Sequence, residues 1–495
     1  MLTPRIKQAF ETALRLEKNA QTKRYQLLYE VIKDCIKVKE LPEGERLPSS
    51  RKLAIDLKLS RSTVVKSYEM LLAEGFLEAK VGSGNTIINP LEASVRKMKP
   101  NLSPESYPEL SKTGQSFLSN IHLINGTEDK SIAFRPGLPP LDIFPVNPWK
   151  NLTNLYWRQI RSSELSYAAS SGMQVLKRNI AAYLNISRGI RCSSEQVFIV
   201  SGSLQSLFLL GSTLLNHGDG VVLENPTFPN VHSIFKSLGA RLYPVELDDQ
   251  GLSRKGLPNE MVKLLHLTPS CHYPLGKVMS VERRLELLNW AGEKRALIIE
   301  NDYEHEINGF GKKALPAIFS LDVQDRTVYL GTFNRLLHPA VRIGYMVVPE
   351  AMIAPIEAFQ KHSHRFVSPS LQLVFNQFIE KKLLFKHIKD VREVAQERYG
   401  IFTNELSKLF GKSLSIMPSE AFGLHVLAKL NASGSDNDWV ECLREKQITA
   451  HAYSKCFIGN VKQNGLIFGY SSVRPPLMKT KLQQMKKALE SGGYL

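Results

Sequence analysis

The sequence predicts an α/β protein in which a small helical block precedes a large domain with a mostly parallel sheet between helices. Three observations lead to this prediction. The chain has 495 residues, which corresponds to about three domains at roughly 150 residues each. From residue 130 onwards, apolar runs of strand length alternate with helical segments, as in a parallel sheet covered on both faces. Residues 90–125 contain Pro, Ser and Lys without a sustained apolar period, so we expect a linker there.

The composition excludes several classes of protein. Hydrophobic residues make up 43% and charged residues 22%, which is the balance of a soluble globular chain. The five cysteines form no CxxC pair and are an odd number, which argues against a zinc ribbon or a disulfide framework and favours a reducing cytoplasm. No apolar run reaches the ~18 residues of a membrane span, and the charged N-terminus is unlike a signal peptide. We therefore expect a cytoplasmic protein without a membrane partner or a metal site.

The charge balance suggests an acidic partner. The chain has 64 Lys and Arg against 47 Asp and Glu, a net charge of +17. Such an excess fits a polyanion such as nucleic acid, and it fits a solvated basic surface equally well. The charge alone leaves both explanations open.

The first block, residues 1–89, contains three helical patterns. Residues 25–37 carry apolar side chains at helical spacing, Pro48-Ser49-Ser50 starts a second helix, and Ser60 is a suitable N-cap for a third one after the turn at Lys58-Leu59. The third helix is expected to bury Val64, Tyr68, Leu71 and Leu72 and to expose Arg61, Ser62, Thr63, Lys66 and Ser67. Two helices across a short turn, with arginine and hydroxyl groups at the start of the second, have the geometry that enters the major groove of DNA.

A short hairpin follows the third helix. One strand runs to Val81, Gly82-Ser83-Gly84 forms the tip, and Thr86-Ile87-Ile88 forms the second strand. A glycine-rich tip can approach a DNA backbone closely because it carries no bulky side chain. The block is therefore predicted to be a winged helix-turn-helix domain.

The string LPSSRKLAIDLKLSRSTVVKSYEMLLAEGFLEAKVGSGNT closely resembles the winged-helix domain of GntR-family bacterial regulators. The shared pattern is LPS-x-R-x-LA, then S-R-x-T-V, then Y-x-x-L-x-x-E-G, then G-x-G. The resemblance implies that the chain binds a double-stranded DNA operator. The residues expected to bind DNA are Arg51, Arg61, Ser62, Thr63, Lys66, Gly82, Ser83 and Gly84.

The second block, residues 126–495, carries an ordered series of motifs. They are IAFRPGLPPLDIFPVNPW, VSGSLQSLFLL, LENPTFP, LTPSCHYPLG, IIENDYEHE and GTFNRLLHPAVRIGY. Their order and spacing resemble the fold-type I aminotransferases, which depend on pyridoxal phosphate. The fusion of a GntR-type domain to this fold resembles the MocR subfamily. The resemblance implies an effector-binding and dimerisation domain with a smaller C-terminal α+β subdomain at about residues 375–495.

The resemblance also implies a phosphate site. Ser201, Gly202 and Ser203 form a strand-to-helix turn whose backbone donors suit a phosphate, and Thr332 and Arg342 match the family's phosphate-binding hydroxyl and arginine.

Aromatic residues are expected around the ring of the cofactor. Phe228 is a candidate for stacking on a pyridine ring, as is Phe208, for which core packing is the better interpretation. Tyr303 matches the tyrosine that bonds the ring hydroxyl, and Tyr273 lies where aminotransferases often have a further polar contact.

The positions that carry the chemistry depart from the family pattern, so we expect no catalytic residue. Arg335 stands where the family has the lysine that forms the Schiff base, and a guanidinium stays protonated up to about pH 12. Asn301 replaces the aspartate that keeps the pyridine nitrogen protonated, while Asp302 is expected to face the other side of its strand. Ile467 stands where relatives hold an arginine for a substrate carboxylate. If Arg335 points into the lysine pocket, its charge favours an anionic ligand; if an acidic neighbour pairs with it, the pocket is filled.

Three hypotheses follow. The first is a transcriptional regulator whose aminotransferase-like domain is a catalytically inactive sensor and homodimer scaffold, since fold-type I sites lie at a subunit interface. Its ligand would be pyridoxal phosphate held non-covalently, another phosphorylated or anionic small molecule, or none. The second is a regulator that still attaches the cofactor through another lysine, such as Lys277, Lys312 or Lys313. The third is an active aminotransferase with a vestigial DNA domain. The sequence favours the first.

Overall fold

The structure is a computed structural model that describes residues 2–15, 22–80, 84–88, 108–124, 133–307, 315–421, 423–460 and 463–495. The chain divides into two compact units, Met1–Glu109 and Leu110–Leu495. Each unit has its own hydrophobic core. In the described part of the chain, no helix combines the length and apolar character needed to cross a membrane.

The first unit is a bundle of four helices with a two-stranded hairpin. Its elements are α1 (Leu2–Leu14), α2 (Arg24–Lys37), α3 (Ser50–Leu57), α4 (Arg61–Ala73), β1 (Leu77–Lys80) and β2 (Gly84–Ile87). The two strands are antiparallel, with Leu77 opposite Ile87. The predicted three helices and hairpin are present in the predicted order.

Helix α1 is absent from the sequence prediction. Leu2, Ile6 and Phe10 are buried at a spacing of four residues, and the helix packs against α2. Only one apolar side chain per turn reaches the core, so the stripe is narrower than the pattern usual for a core-facing helix. The pattern in the sequence was too sparse to indicate a helix.

The second unit is built on an eight-stranded sheet with the spatial order β3-β10-β9-β8-β7-β4-β5-β6. The strands are β3 (Val197–Val200), β4 (Gly220–Asn225), β5 (Arg241–Asp248), β6 (Gly251–Leu252), β7 (Leu264–Leu267), β8 (Leu297–Asn301), β9 (Thr327–Thr332) and β10 (Gly344–Val347). The five strands from β9 to β5 are parallel, and β10 is antiparallel to both of its neighbours. The sheet is therefore mixed with a parallel centre.

Helices flank this sheet, and the α/β fold class is confirmed. They are α5 (Lys112–Ser119), α6 (Val146–Gln159), α7 (Gln174–Arg188), α8 (Ser203–Leu214), α9 (Pro229–Ser237), α10 (Val281–Lys294), α11 (Ile318–Leu321), α12 (Glu350–Ser363), α13 (Pro369–Glu380), α14 (Leu383–Phe410), α15 (Asp436–Glu445) and α16 (Pro475–Ser491).

A second, antiparallel sheet lies in the C-terminal part of the unit. Its strands are β11 (Leu414–Ile416), β12 (His425–Leu430), β13 (His451–Ala452) and β14 (Gly465–Gly469), in the order β11-β12-β14-β13. The segment that begins at Ala133 joins this sheet, because Gly469 N–H donates to the Phe134 carbonyl at 2.7 Å. The start of the unit is thus tied to its last sheet.

The segment predicted as a linker contains helix α5. Ser111 caps this helix by accepting a hydrogen bond from Gly114 N–H. Helix α5 and the 3-10 turn after it pack against α9, so residues 110–124 belong to the second unit.

Candidate functional site

Two capping serines define the turn between α3 and α4. Ser49 Oγ accepts from Lys52 N–H at 3.3 Å, and Ser60 Oγ accepts from Thr63 N–H at 3.1 Å. Lys58 ends α3 in the left-handed conformation (φ 53°). The result is the helix-turn-helix geometry that the sequence predicts.

Most of the predicted DNA-binding residues are accessible. Arg51, Arg61, Ser62 and Lys66 are exposed, Gly84 is exposed at the start of β2, and Thr63 is half-buried. Gly82 and Ser83 lie outside the described residues.

The start of α4 carries positive charge and hydroxyl groups. Arg61 opens the helix, and its first turn holds no acidic residue. Ser60 Oγ lies 2.9 Å from Ser62 Oγ and 2.8 Å from Thr63 Oγ1, which positions the hydroxyl groups. A helix N-terminus with free positive charge suits a phosphate backbone or a base edge.

The prediction that Ser67 faces outward is wrong. Ser67 is fully buried, and its Oγ donates to the Tyr25 carbonyl at 2.8 Å, which ties α4 to α2. It continues the buried stripe of Val64, Tyr68 and Leu71 at helical spacing. Leu72, expected to be buried, is half-buried at the edge of this stripe.

The second unit contains a cavity of about 310 Å³ at the carboxyl ends of the parallel strands. Nine of the ten predicted ligand residues line it, and the tenth, Ser201, contacts Arg342. The predicted residues that line it are Gly202, Ser203, Phe228, Tyr273, Asn301, Tyr303, Thr332, Arg335 and Arg342. Sequence reasoning missed Arg135, Gly137, Asn230, Thr268, Asn334 and His451, which line it as well.

One end of the cavity is built around the start of α8. Gly202, with φ 143°, precedes the helix, whose first amides have no partner within the helix. Arg342 Nη2 donates to Ser201 Oγ at 3.2 Å. Backbone donors, hydroxyls and a guanidinium therefore meet where a phosphate can bind.

Asn334 holds this end together. Its Nδ2 donates to the Ser201 carbonyl, and its Oδ1 accepts from Ile343 N–H, each at 3.0 Å. A Cβ on Gly202 would lie 2.8 Å from Asn334 Nδ2, so glycine is needed there. Asn334 lies next to Arg335 in the GTFNR motif, which was the available signal.

Aromatic side chains form the walls. Phe228 and Tyr273 meet edge to face at 5.1 Å between ring centroids. Tyr303 Oη donates to the Cys271 carbonyl at 2.9 Å, so its proton is already used within the protein. Phe208 packs against Phe117 and is not among the cavity residues, in agreement with core packing.

Asn301 faces the cavity with an unsatisfied amide. Its Nδ2 lies 3.2 Å from His266 Nε2, and its buried Oδ1 has no partner. Burial lowers the pKa of His266 to about 3, so the imidazole is neutral. Depending on which ring nitrogen carries the proton, the pair can present either an amide oxygen or an amide N–H to a ligand.

Asp302 points to the other side of the sheet, as the alternation of strand β8 indicated. Its carboxylate pairs with Arg188 at 2.8 Å and accepts from Tyr329 Oη at 2.9 Å. Glu300 accepts from the N–H groups of Ile318 and Phe319, both at 2.9 Å. Neither carboxylate is among the residues of the cavity.

Arg335 lies on the cavity wall with one side of its guanidinium engaged. Nη1 donates to Glu304 Oε1 at 3.1 Å, and Cζ lies 5.3 Å from the centre of the Tyr303 ring. Glu304 is buried, and its other oxygen accepts from Leu424 N–H at 3.0 Å. A Cβ on Gly137 would lie 1.3 Å from Arg335 Nη1. The residue is thus both salt-bridged and turned to the cavity, and the cavity is not filled.

The other candidate positions differ from an aminotransferase site. Lys277 Nζ donates to the Asp248 carbonyl and pairs with Asp249, and it is not a cavity residue. Lys312 and Lys313 lie outside the described residues. Ile467 is buried in an apolar cluster with Tyr273 and Tyr303. No group of side chains in the described ranges is arranged to hold a metal ion.

Pyridoxal phosphate fits the residues that are present, without a covalent bond. The α8 end offers donors for its phosphate, Phe228 offers an aromatic face, and the Asn301 amide can bond a ring nitrogen in either protonation state. The described lining contains no lysine that could form the Schiff base.

Two family models match the chain. The model described as aminotransferase class I and II matches residues 145–457. The model described as bacterial regulatory proteins, gntR family, matches residues 24–87.

Relatives match the chain nearly from end to end. The chain is 30% identical over 483 residues to the probable rhizopine catabolism regulatory protein MocR of Rhizobium meliloti, covering 97% of each protein. It is 28% identical over 452 residues to the pyridoxine biosynthesis transcriptional regulator PdxR of Corynebacterium glutamicum, covering 91% of this chain and 93% of that one.

Solved aminotransferases share the fold. The kynurenine aminotransferase of Pyrococcus horikoshii superposes with a TM-score of 0.66 at 22% identity, over 80% of this chain and 98% of that one. The α-aminoadipate aminotransferase LysN of Thermus thermophilus gives 0.67 at 22% identity, over 79% and 99%. At this identity the likeness shows the fold alone, and that fold is fold-type I.

Proposed function

Since the chain belongs to the aminotransferase class I and II family and to the MocR-type GntR regulators, we propose that its aminotransferase-like domain is catalytically inactive and senses an anionic small molecule. The protein is a transcriptional regulator of this type with a DNA-binding N-terminal domain. Working on chromosomal DNA, it would be cytoplasmic. Two copies would form the dimer that paired half-sites require.

The observation that carries the proposal is the charge and chemistry of the cavity wall. The described lining contains three arginines and no lysine. An arginine binds anions but is not a nucleophile at neutral pH. A phosphorylated ligand held by hydrogen bonds and charge is therefore favoured over one attached covalently.

Pyridoxal phosphate is the first ligand to test. When bound to an enzyme, it supplies an electron sink for reactions at the carbon of an amino acid. In this chain Arg342, Thr332 and the Gly202–Ser203 backbone would hold the phosphate, and Asn301 would bond the ring. A neutral amide gives the ring nitrogen no charge that would hold a proton there.

Helix α9 offers a route from the cavity to the linker. Its N-cap, Phe228, and its residues Asn230 and Val231 line the cavity. At its other end, Ser237 Oγ accepts from Asn120 Nδ2 at 3.2 Å, just after α5. A ligand that moved α9 would change the anchoring of α5. It can shift the DNA-binding state only as far as its affinity differs between states.

The test is the visible spectrum of the purified protein with and without added pyridoxal phosphate, followed by borohydride reduction and peptide mapping. We expect a spectrum that is the sum of protein and free cofactor absorption, and no pyridoxyl group on any lysine. A cofactor reduced onto one lysine would contradict the proposal, as would transfer of an amino group from a donor amino acid. Sedimentation should give twice the mass of 55.8 kDa for the dimer.

A further inference from the structure

The cavity has an excess of positive charge. Arg135, Arg335 and Arg342 line it, and the described lining holds no aspartate or glutamate. Glu304, behind Arg335, neutralises one of these three charges. Burial, with nearby Arg135 and Arg335, lowers the pKa of His451 to about 3, so this imidazole adds no charge. Two positive charges remain, and a ligand with one anionic group cannot balance both ends by contact.

The positive groups belong to different walls. Arg342 lies with Ser201 at the start of α8. Arg335 contacts Gly137 and Glu304, and Arg135 precedes Gly137 in the segment tied to β14. One wall has helix amides and hydroxyls, and the other has guanidinium groups against Tyr273 and Tyr303.

Arg335 keeps an unused edge. Glu304 takes only Nη1, while Nε and Nη2 have no hydrogen-bond partner in the described part of the chain. The side chain is 22% exposed, and it lines the cavity. Glu304 cannot swing round to take this edge, because its second oxygen accepts from Leu424 N–H. The Nε and Nη2 pair matches the two oxygens of a carboxylate.

We infer that Arg335, supported by Arg135, binds a carboxylate of the ligand, so that the ligand carries a phosphate at one end and a carboxylate at the other. The inference rests on the proposed function and adds a second anionic group to its ligand. It moves carboxylate recognition from the position of Ile467, which is buried among apolar side chains, to the wall formed by Arg335. Arg335 is then a specificity-determining residue rather than the remnant of a lost lysine.

Calorimetry with two probes tests this inference on the full-length protein. The probes are pyridoxamine 5′-phosphate and N-(5′-phosphopyridoxyl)glycine, which share the ring and phosphate and differ by the carboxymethyl group. We expect the glycine adduct to bind at least about tenfold more tightly, as a charge-assisted bidentate contact should give. Equal affinities would overturn the inference and leave the proposed function standing. No binding of either probe would overturn both.

Variants locate the contact. Arg335→Met alone leaves buried Glu304 unpaired and can unfold the unit, so the double variant Arg335→Met/Glu304→Gln removes both charges. The preference for the glycine adduct should fall to about threefold or less in this variant and should weaken in Arg135→Met. Arg342→Met should weaken both probes alike and preserve the preference. Arg241→Met, which removes an exposed charge of the same unit, should change neither affinity. A preference that survives in both the double variant and Arg135→Met would overturn the inference.

Discussion

Arg61 is the side chain whose removal should reveal direct base reading. It is exposed at the first position of α4, where a recognition helix contacts base edges. We expect Arg61→Ala to weaken operator binding by ~1–3 kcal/mol, with the loss confined to one base pair per half-site. Binding measured on operators with single base-pair changes checks this. Lys37→Ala, on α2, is the matched control for loss of charge. A loss of equal size on every sequence would mean that Arg61 contacts phosphates only.

Glu224 is a buried carboxyl beside the cavity whose titration should be visible in stability. Its Oε2 accepts from Thr268 N–H and Oγ1, at 3.0 and 2.6 Å. Burial raises its pKa to about 7, although the Thr268 bonds act in the opposite direction. Nearby His272 brings no charge, since burial lowers its pKa to about 3.

The raised pKa of Glu224 predicts a stability that falls with rising pH. The ordinary value of this carboxyl is 4.5, so between pH 4.5 and about 7 the folded state holds the extra proton and the free energy of unfolding decreases. Glu224→Gln should remove this part of the slope and be more stable than the parent protein at pH 8, by up to about 3 kcal/mol. Urea unfolding from pH 5 to 8 measures it, with Glu246→Gln on the exposed part of β5 as control. A parent curve that is flat over this range would contradict the prediction.

At the scale of elements, α9 connects the two features that a sensor must couple. It is nine residues long, with cavity residues in its first turn and contacts to α5 in its last. Ser233 Oγ donates to the Asn120 carbonyl at 3.3 Å, and Asn120 is 5% exposed. A short helix held at both ends moves as a unit more readily than it bends.

Asn120→Ala should uncouple ligand from DNA. The change removes the Nδ2 bond to Ser237 and leaves the cavity residues untouched. We expect unchanged ligand affinity and a loss of most of the ligand-induced change in operator affinity, measured by calorimetry and by anisotropy of labelled DNA. Ser119→Ala, whose hydroxyl bonds only its own helix, is the control. Full coupling in Asn120→Ala would argue against α9 as the route.

At the scale of the whole molecule, sequence patterns were sufficient for the architecture. The apolar runs at 197–200, 221–224, 296–300, 327–333 and 345–348 fall on strands β3, β4, β8, β9 and β10. The motifs also placed nine ligand residues around one cavity, since carboxyl ends of parallel strands converge. The antiparallel insertion of β10 carries no such signal, because an antiparallel strand in a covered sheet is as apolar as a parallel one.

What sequence missed depends on contacts between distant segments. The partner of Arg335 is Glu304, 31 residues away, and no spacing rule relates them. Asn334 is a positioning residue only because Ser201 and Ile343 meet it in space. The outward prediction for Ser67 failed because a serine hydroxyl can be buried when a carbonyl such as that of Tyr25 accepts its proton.

The attachment of α5 to α9 decides where this protein could be spliced into a hybrid regulator. The sequence suggests a junction near residue 126, after the linker, but a cut there would discard α5 and with it the Asn120–Ser237 contact. A graft that starts upstream of residue 108 keeps this contact and the Arg135–Gly137 wall in one piece. Such a graft should transfer ligand control to a foreign DNA-reading domain, whereas one cut at 126 should bind ligand without responding to it.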